Sequence, residues 1–123
     1  MQSRETNQPL NVLILAAGLG TRMRSERAKV LHEIGGLPLI NYVCRTARSL
    51  EPERIYVVVG HQAADVEKTV QNEMGDLAGF VMQTEQRGTG HAVMAARAQL
   101  AGSNSLVLVL PGDVPLILSL IHI

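Results

Sequence analysis

Gly18, Gly20, Thr21, Arg22, Arg24 and Lys29 crowd into one short stretch directly after the apolar run Leu13-Ile14-Leu15-Ala16-Ala17. Glycine has no Cβ, so its backbone can approach a ligand closely and present its N–H groups to an anion. The arginines and lysine just beyond supply the positive charge that a polyphosphate requires. The stretch reads as a strand feeding a phosphate-binding loop. From Gly-x-Gly alone, a solvated turn with its basic residues in water competes with that reading. Ligands of open α/β sheets bind at the carboxyl ends of strands, and this loop follows a strand signal without a gap.

Two familiar phosphate loops do not fit. A dinucleotide-binding fingerprint needs a third small residue and an acid about 20 residues on. Met23 occupies the third position, and the second strand signal ends at Val59-Gly60-His61 with no acid at its tip. A P-loop needs Gly-Lys-Ser or Gly-Lys-Thr after its glycines, and neither occurs.

Two further loops carry polar residues in comparable places. Gln83-Thr84-Glu85-Gln86-Arg87-Gly88-Thr89-Gly90-His91 precedes a helix signal. The amide of Gln83 offers a donor and an acceptor that can read a pyrimidine edge. Thr89 and its glycines can present N–H groups at the helix start, although a simple capped helix entry has the same appearance. Pro111-Gly112-Asp113-Val114-Pro115 follows the most apolar strand signal. A carboxylate there suits a hard cation such as Mg²⁺, which takes oxygen ligands and bridges to substrate phosphates, while an ordinary Asp turn is the competing reading.

The run from Leu15 to Met23 resembles the opening motif of the sugar nucleotidyltransferases, Leu-x-Ala-Gly-x-Gly-x-Arg-Met. Extended through Lys29-Val30-Leu31-His32, it is similar to the bacterial N-acetylglucosamine-1-phosphate uridyltransferases. The second loop resembles that family's Gln-x-Glu-Gln-x-Gly-Thr-Gly-His-Ala motif, and the third its Gly-Asp-x-Pro-Leu. Ala28 stands where the family has proline, and Pro111 where it has tyrosine.

The resemblance implies transfer of a uridylyl group from UTP to N-acetylglucosamine 1-phosphate. The products are pyrophosphate and UDP-N-acetylglucosamine, a peptidoglycan precursor for the cell wall. It implies that Arg22 and Lys29 hold the triphosphate and the departing pyrophosphate, and that Asp113 is the magnesium ligand. Leu15, Ala16, Ala17, Gly18, Gln83, Gly88 and Thr89 seat the uridine, with Gly20, Thr21, Gln86 and Gly112 completing the nucleotide site. It further implies a parent protein that is a homo-oligomer.

Composition agrees with a small-molecule partner. The 123 residues carry 11 Lys+Arg against 11 Asp+Glu, a net charge of +0, with 2% aromatic residues. Nucleic-acid binding wants a basic face or stacking rings, and neither is present. No run approaches the ~20 apolar residues of a membrane span, and the polar start lacks the apolar segment of a signal peptide. The single Cys44 forbids an internal disulfide, so a cytoplasmic protein is expected. Cys44 itself lies in a helix signal and reads as a small buried hydrophobe. His32, His61 and His91 are not at metal-ligand spacing and read as structural, while Arg24, Arg27, Arg45 and Arg48 read as solvent-facing.

The elements that must position these loops are strands over residues 11–15, 55–59, 80–82 and 106–110, with helices from Pro38 to Leu50, over 63–72 and over 91–100. Leu39, Val43, Ala47 and Leu50 recur at helical spacing, and Ile34-Gly35-Gly36 reads as a turn. Strict alternation of strand and helix predicts an α/β fold with a doubly wound, mostly parallel, Rossmann-like sheet of the nucleotidyltransferase type. The ligand is expected over the loops after the first, third and fourth strands.

Residues 1–9 read as a flexible leader, 10–117 as the nucleotide-binding half of a nucleotidyltransferase domain, and 118–123 as a tail foreign to the family. The sugar-binding half, with the asparagine that completes the family's metal site, is not in the sequence, nor is a β-helix acetyltransferase domain. The fragment is therefore expected to be inactive alone and prone to aggregate along its last strand. A related sugar-phosphate nucleotidyltransferase and a non-catalytic nucleotide-binding module remain the alternative functions.

Overall fold

The computed structural model describes residues 9–17, 29–60, 63–83, 92–94, 96 and 106–112. Its sheet has strands β1 (Leu10–Leu15), β4 (Arg54–Val59), β5 (Ala78–Met82) and β6 (Leu106–Pro111) in the order β5-β4-β1-β6. Every neighbouring pair is parallel. Register brings the carboxyl ends level, with Leu15 opposite Val58 on one side and Pro111 on the other, and Val59 opposite Met82. The expected parallel α/β sheet is present, with β5 beginning at Ala78, two residues before its expected start.

A parallel strand covered on both faces should be apolar throughout, and β1 is so apart from Asn11. Period-two alternation then sends its side chains to two different cores. Val12 and Ile14 join Ile55, Val57 and Val59 under the helices α1 (Leu39–Ser49) and α2 (Ala63–Met74). Leu13 joins Val58 and Val81 on the other face, against Ala92 and Ala96. Residues 92–94 are helical; the rest of the helix expected over 91–100 lies outside the described residues. The sheet is thus wound on both faces.

Helix α1 buries Ile40, Val43, Cys44 and Ala47. That stripe differs from the expected one by a small rotation, because Leu39 and Leu50 are only half-buried and Ile40 and Cys44 take the inner positions. The helix starts one residue later than Pro38, which caps it in an extended conformation. It stops where Glu51 takes a left-handed φ of 53° and Pro52 denies the next turn a donor.

The turn at Gly35-Gly36 proves to be the tip of a small antiparallel hairpin, β2 (Glu33–Ile34) with β3 (Leu37–Pro38). Both glycines sit at positive φ, 64° and 81°, as a tight hairpin turn demands. Two-residue strands carry too little periodicity to be read from sequence. The Tyr42 hydroxyl donates to the Ile34 carbonyl at 2.7 Å and ties the hairpin to α1.

Arg45 and Arg48 face solvent as expected, about half exposed, and also converge on Glu73 of α2. Arg45 Nε and Arg48 Nη2 donate to Glu73 Oε2 at 3.1 and 3.2 Å, and Asn41 Nδ2 donates to Oε1 at 3.1 Å. Arg48 Nη1 also reaches the Glu73 carbonyl at 2.9 Å. Burial pushes the Glu73 carboxyl up, but the bonds from Arg45 and Asn41 and the charges of both arginines outweigh it and leave the pKa below the ordinary glutamate value. A depressed acid stabilises the fold above its unfolded pKa, and that contribution is lost as the pH falls through the folded value. Melting temperature should therefore drop more steeply below pH 5 in the parent than in Glu73→Gln; parallel curves would show that the clamp contributes nothing.

Cys44 is fully buried, as its place in the helix suggests. Burial, reinforced by the Glu73 charge and opposed by Arg48, pushes its thiol up to about 12. The thiolate is the reactive form, so the folded chain should resist alkylation at pH 8 and react readily once denatured. Fast alkylation of the native chain would contradict the packing of α1.

Strand β6 is the least covered part of the sheet, with Leu106, Val107 and Val109 exposed by 46%, 41% and 36%. The Pro9 carbonyl accepts from the Leu106 N–H at 2.9 Å and ties the chain ahead of β1 to its start. Among the described residues no helix is long and apolar enough to cross a membrane.

Candidate functional site

The chain runs outward from β1 to β4 and β5, then crosses to the far side of β1 to form β6. The strand order therefore reverses between β1 and β6. In an open α/β sheet this reversal leaves a crevice at the carboxyl ends, since the connections on either side leave in opposite directions. The loops after β1 and β6 both begin there.

Backbone hydrogen bonds pin the first residues of each loop. The Ala16 N–H donates to the Val58 carbonyl at 2.9 Å, continuing the ladder past β1. The Gln83 N–H donates to the Val59 carbonyl at 2.7 Å, and the Gly112 N–H to the Leu15 carbonyl at 2.9 Å. Ala16 and Ala17 are buried, and Gln83 is buried to 4% exposure despite its polar amide. Burying an amide costs free energy unless its hydrogen bonds are met, so a glutamine held inside at a strand end has a defined orientation. With strands about 4.8 Å apart, Gln83, the residue after β5, stands roughly 10 Å from the end of β1.

Lys29 opens a 3₁₀ turn over Lys29–Leu31, and the next residues lock that turn to the sheet. Val30 and Leu31 are buried with Ile40. The His32 carbonyl accepts from the Leu39 N–H at 2.9 Å, so the turn is joined to the start of α1. His32 Nε2 is buried with no hydrogen-bond partner among the described residues. Val30 and Ile40 look like ordinary core residues in the sequence; the fold brings both against Gly112.

Of the residues expected to form the site, Leu15, Ala16, Ala17, the backbone of Lys29, Gln83 and Gly112 lie along this one edge. Gly18, Gly20, Thr21, Arg22, Gln86, Gly88, Thr89 and Asp113 lie outside the described residues.

A parallel sheet wound on both faces, whose strand order reverses between β1 and β6, has the architecture of a nucleotidyltransferase. The chain belongs to the MobA-like NTP transferase domain family, whose model matches residues 12–120. Among curated proteins it is 55% identical over 111 residues to the bifunctional protein GlmU of Solibacter usitatus, covering 89% of this chain and 23% of that protein. It is 49% identical over 105 residues to GlmU of Streptococcus agalactiae serotype V, covering 85% of this chain and 22% of that one. The chain thus spans about a quarter of the length of the curated relatives it matches. Among solved structures, HddC from Yersinia pseudotuberculosis complexed with GMP-PN superposes with a TM-score of 0.70 at 27% identity, over 84% of this chain and 47% of that one. A UTP-bound UGPase from Acinetobacter baumannii, at 22% identity and a TM-score of 0.69 over 83% of this chain and 45% of its own, shares the fold.

Proposed function

We propose that the chain is the nucleotide-binding half of a uridylyltransferase that joins UTP to N-acetylglucosamine 1-phosphate. The observation that carries this reading is that the three motif-bearing segments leave the same carboxyl edge of the sheet, at Ala16, Gln83 and Gly112, in a chain about half identical to GlmU proteins. A phosphate oxygen of the sugar phosphate attacks the α-phosphorus of UTP. The bond from that phosphorus to the bridging oxygen breaks, and pyrophosphate leaves with the electron pair. Such a reaction asks for alignment and charge neutralisation more than for covalent help from the protein.

Gln83 reads the uracil edge, and Leu15 to Gly18, Gly88 and Thr89 seat the nucleoside, with Gly20, Thr21, Gln86 and Gly112 around it. Arg22 and Lys29 hold the triphosphate and the departing pyrophosphate. The Lys29–Leu31 turn is anchored to the core through Val30 and Leu31, which fixes the backbone from which that lysine extends.

Asp113 follows the residue pinned to Leu15 at the switch point. A single carboxylate beside a phosphate site fits Mg²⁺, which keeps several waters and shares the substrate's oxygens. When bound, the ion would neutralise phosphate charge. The substrates and the single buried cysteine suit the cytoplasm, and a homo-oligomeric parent is part of the same reading.

The breadth of the matching family and the likeness to HddC favour, as a second reading, a transferase for another sugar phosphate. Replacing the matching segment of the Solibacter usitatus protein with this chain separates the two. The sugar half of the hybrid is the host's, so the discriminating readout is the nucleotide: the hybrid should release pyrophosphate from UTP in preference to other nucleotides. A folded hybrid that prefers a different nucleotide would favour the second reading.

A further inference from the structure

The two outer strands of the sheet are finished differently. Strand β5 keeps only Met82 strongly exposed, with Ala78, Gly79 and Phe80 half-buried and Val81 buried. One of its faces is closed by its neighbour: Tyr56 stands opposite Gly79, and a Cβ on that glycine would lie 3.2 Å from the Tyr56 ring. The Arg54 guanidinium sits over the same ring, 5.7 Å from its centroid. A short strand covered in this way is a blunted edge. Strand β6 has no such cover. Leu106-Val107-Leu108-Val109-Leu110 carries no charge, no glycine and no polar side chain, the composition of a strand covered on both faces. Yet every residue of β6 is exposed or half-buried.

Topology explains the bare faces. Helix α1 leads from β1 to β4 and α2 from β4 to β5, and both pack on the core around Val12, Ile14, Ile55 and Val57. Ala92, Val93 and Ala96 pack on the other face, at Leu13, Val58 and Val81. Of β6, only Leu110 packs against either core among the described residues. Its far edge is unpaired among them as well. Register places Val107 and Val109 opposite Asn11 and Leu13, on the face that Ala92 and Ala96 share. HddC superposes on this chain over 47% of its own length, so more than half of that fold lies outside the shared part. We propose that β6 is an interior strand of the complete nucleotidyltransferase domain and a docking surface for the rest of it. A strand from the part of the domain that the relatives carry outside the matched stretch pairs with the free edge, and apolar side chains from the same part cover Val107 and Val109. A second copy of this chain, pairing through its own β6, would satisfy the edge but bring equally bare faces and leave the valines in water. The same cover is needed whichever nucleotide the site takes.

The test compares amide hydrogen exchange over β6 in this chain alone and in the hybrid with the Solibacter usitatus protein, with β4 as the internal reference. Exchange over β6 is expected to be about tenfold slower or more in the hybrid, while β4, interior in both, changes far less. Equal exchange of β6 in the two proteins overturns the proposal. So does protection in the chain alone that grows with its concentration, the sign of a second copy. Val109→Lys gives a reading within the hybrid by itself, because a lysine forced under apolar cover is costly. It should lower the hybrid's melting temperature by about 5 °C or more, against less than about 2 °C for Gln71→Lys on the exposed face of α2. Equally small shifts in both variants overturn the proposal. If the hybrid does not melt cooperatively, this chain is co-expressed with the rest of the Solibacter usitatus protein as a separate chain. Co-purification that Val109→Lys abolishes and Gln71→Lys does not supports the proposal, and failure to co-purify overturns it.

Discussion

Ile40→Ala is expected to lower the stability of the chain by about 2–5 kcal/mol, the range for removing a large aliphatic side chain from a core that collapses only partly. Ile40 is fully buried on the first turn of α1, within the core that joins β1, β4 and both helices. Its Cδ1 also lies beside the space at Gly112. For a domain of this size such a loss corresponds to a fall in melting temperature of about 10 °C or more. The same substitution enlarges the space under the switch point, so nucleotide binding should weaken even at temperatures where the variant is folded. Thermal melting followed by circular dichroism checks the first effect. A change of less than about 0.5 kcal/mol, the range of surface substitutions, would show that α1 is not seated on the sheet as described.

Arg22→Ala carries the second large expectation, now on chemistry. In the proposed reaction the guanidinium faces charge that develops on the departing pyrophosphate. Removing one such preorganised partner costs about 100- to 1,000-fold in turnover. Measured in the hybrid with the Solibacter usitatus protein, Arg22→Ala should lose turnover by that order while its melting temperature stays unchanged. Lys29→Ala should behave in the same direction. Full turnover in both variants would remove the loop after β1 from the reaction.

Much of the fold was legible in the sequence because parallel strands leave a strong mark. Leu13, Ile14, Val57 and Val58 must be apolar on both faces, and glycine or proline punctuates the ends of β4 and β6. The proposed class of ligand rests on a related signal: close backbone approach and positive charge leave glycines and basic residues in plain view. Contacts between distant segments were not. Nothing local marks Glu73 as the partner of Arg45 and Arg48, which are 28 and 25 residues away. The hairpin at residues 33–38 was hidden because two-residue strands have no period. Gly112 was visible as part of a motif, yet its physical requirement arises from Leu15, Val30 and Ile40, which the fold alone brings together.

The account stands on a nucleotide lying across the carboxyl edge of the sheet, and calorimetric titration of UTP with Mg²⁺ into the chain tests this most directly. Beside the parent belong Gln83→Ala, for the base end, and Arg22→Ala, for the phosphate end. Saturable binding by the parent, weakened in both variants with the fold unchanged, is the predicted result. Binding unaffected by either substitution would place the nucleotide elsewhere and contradict the account.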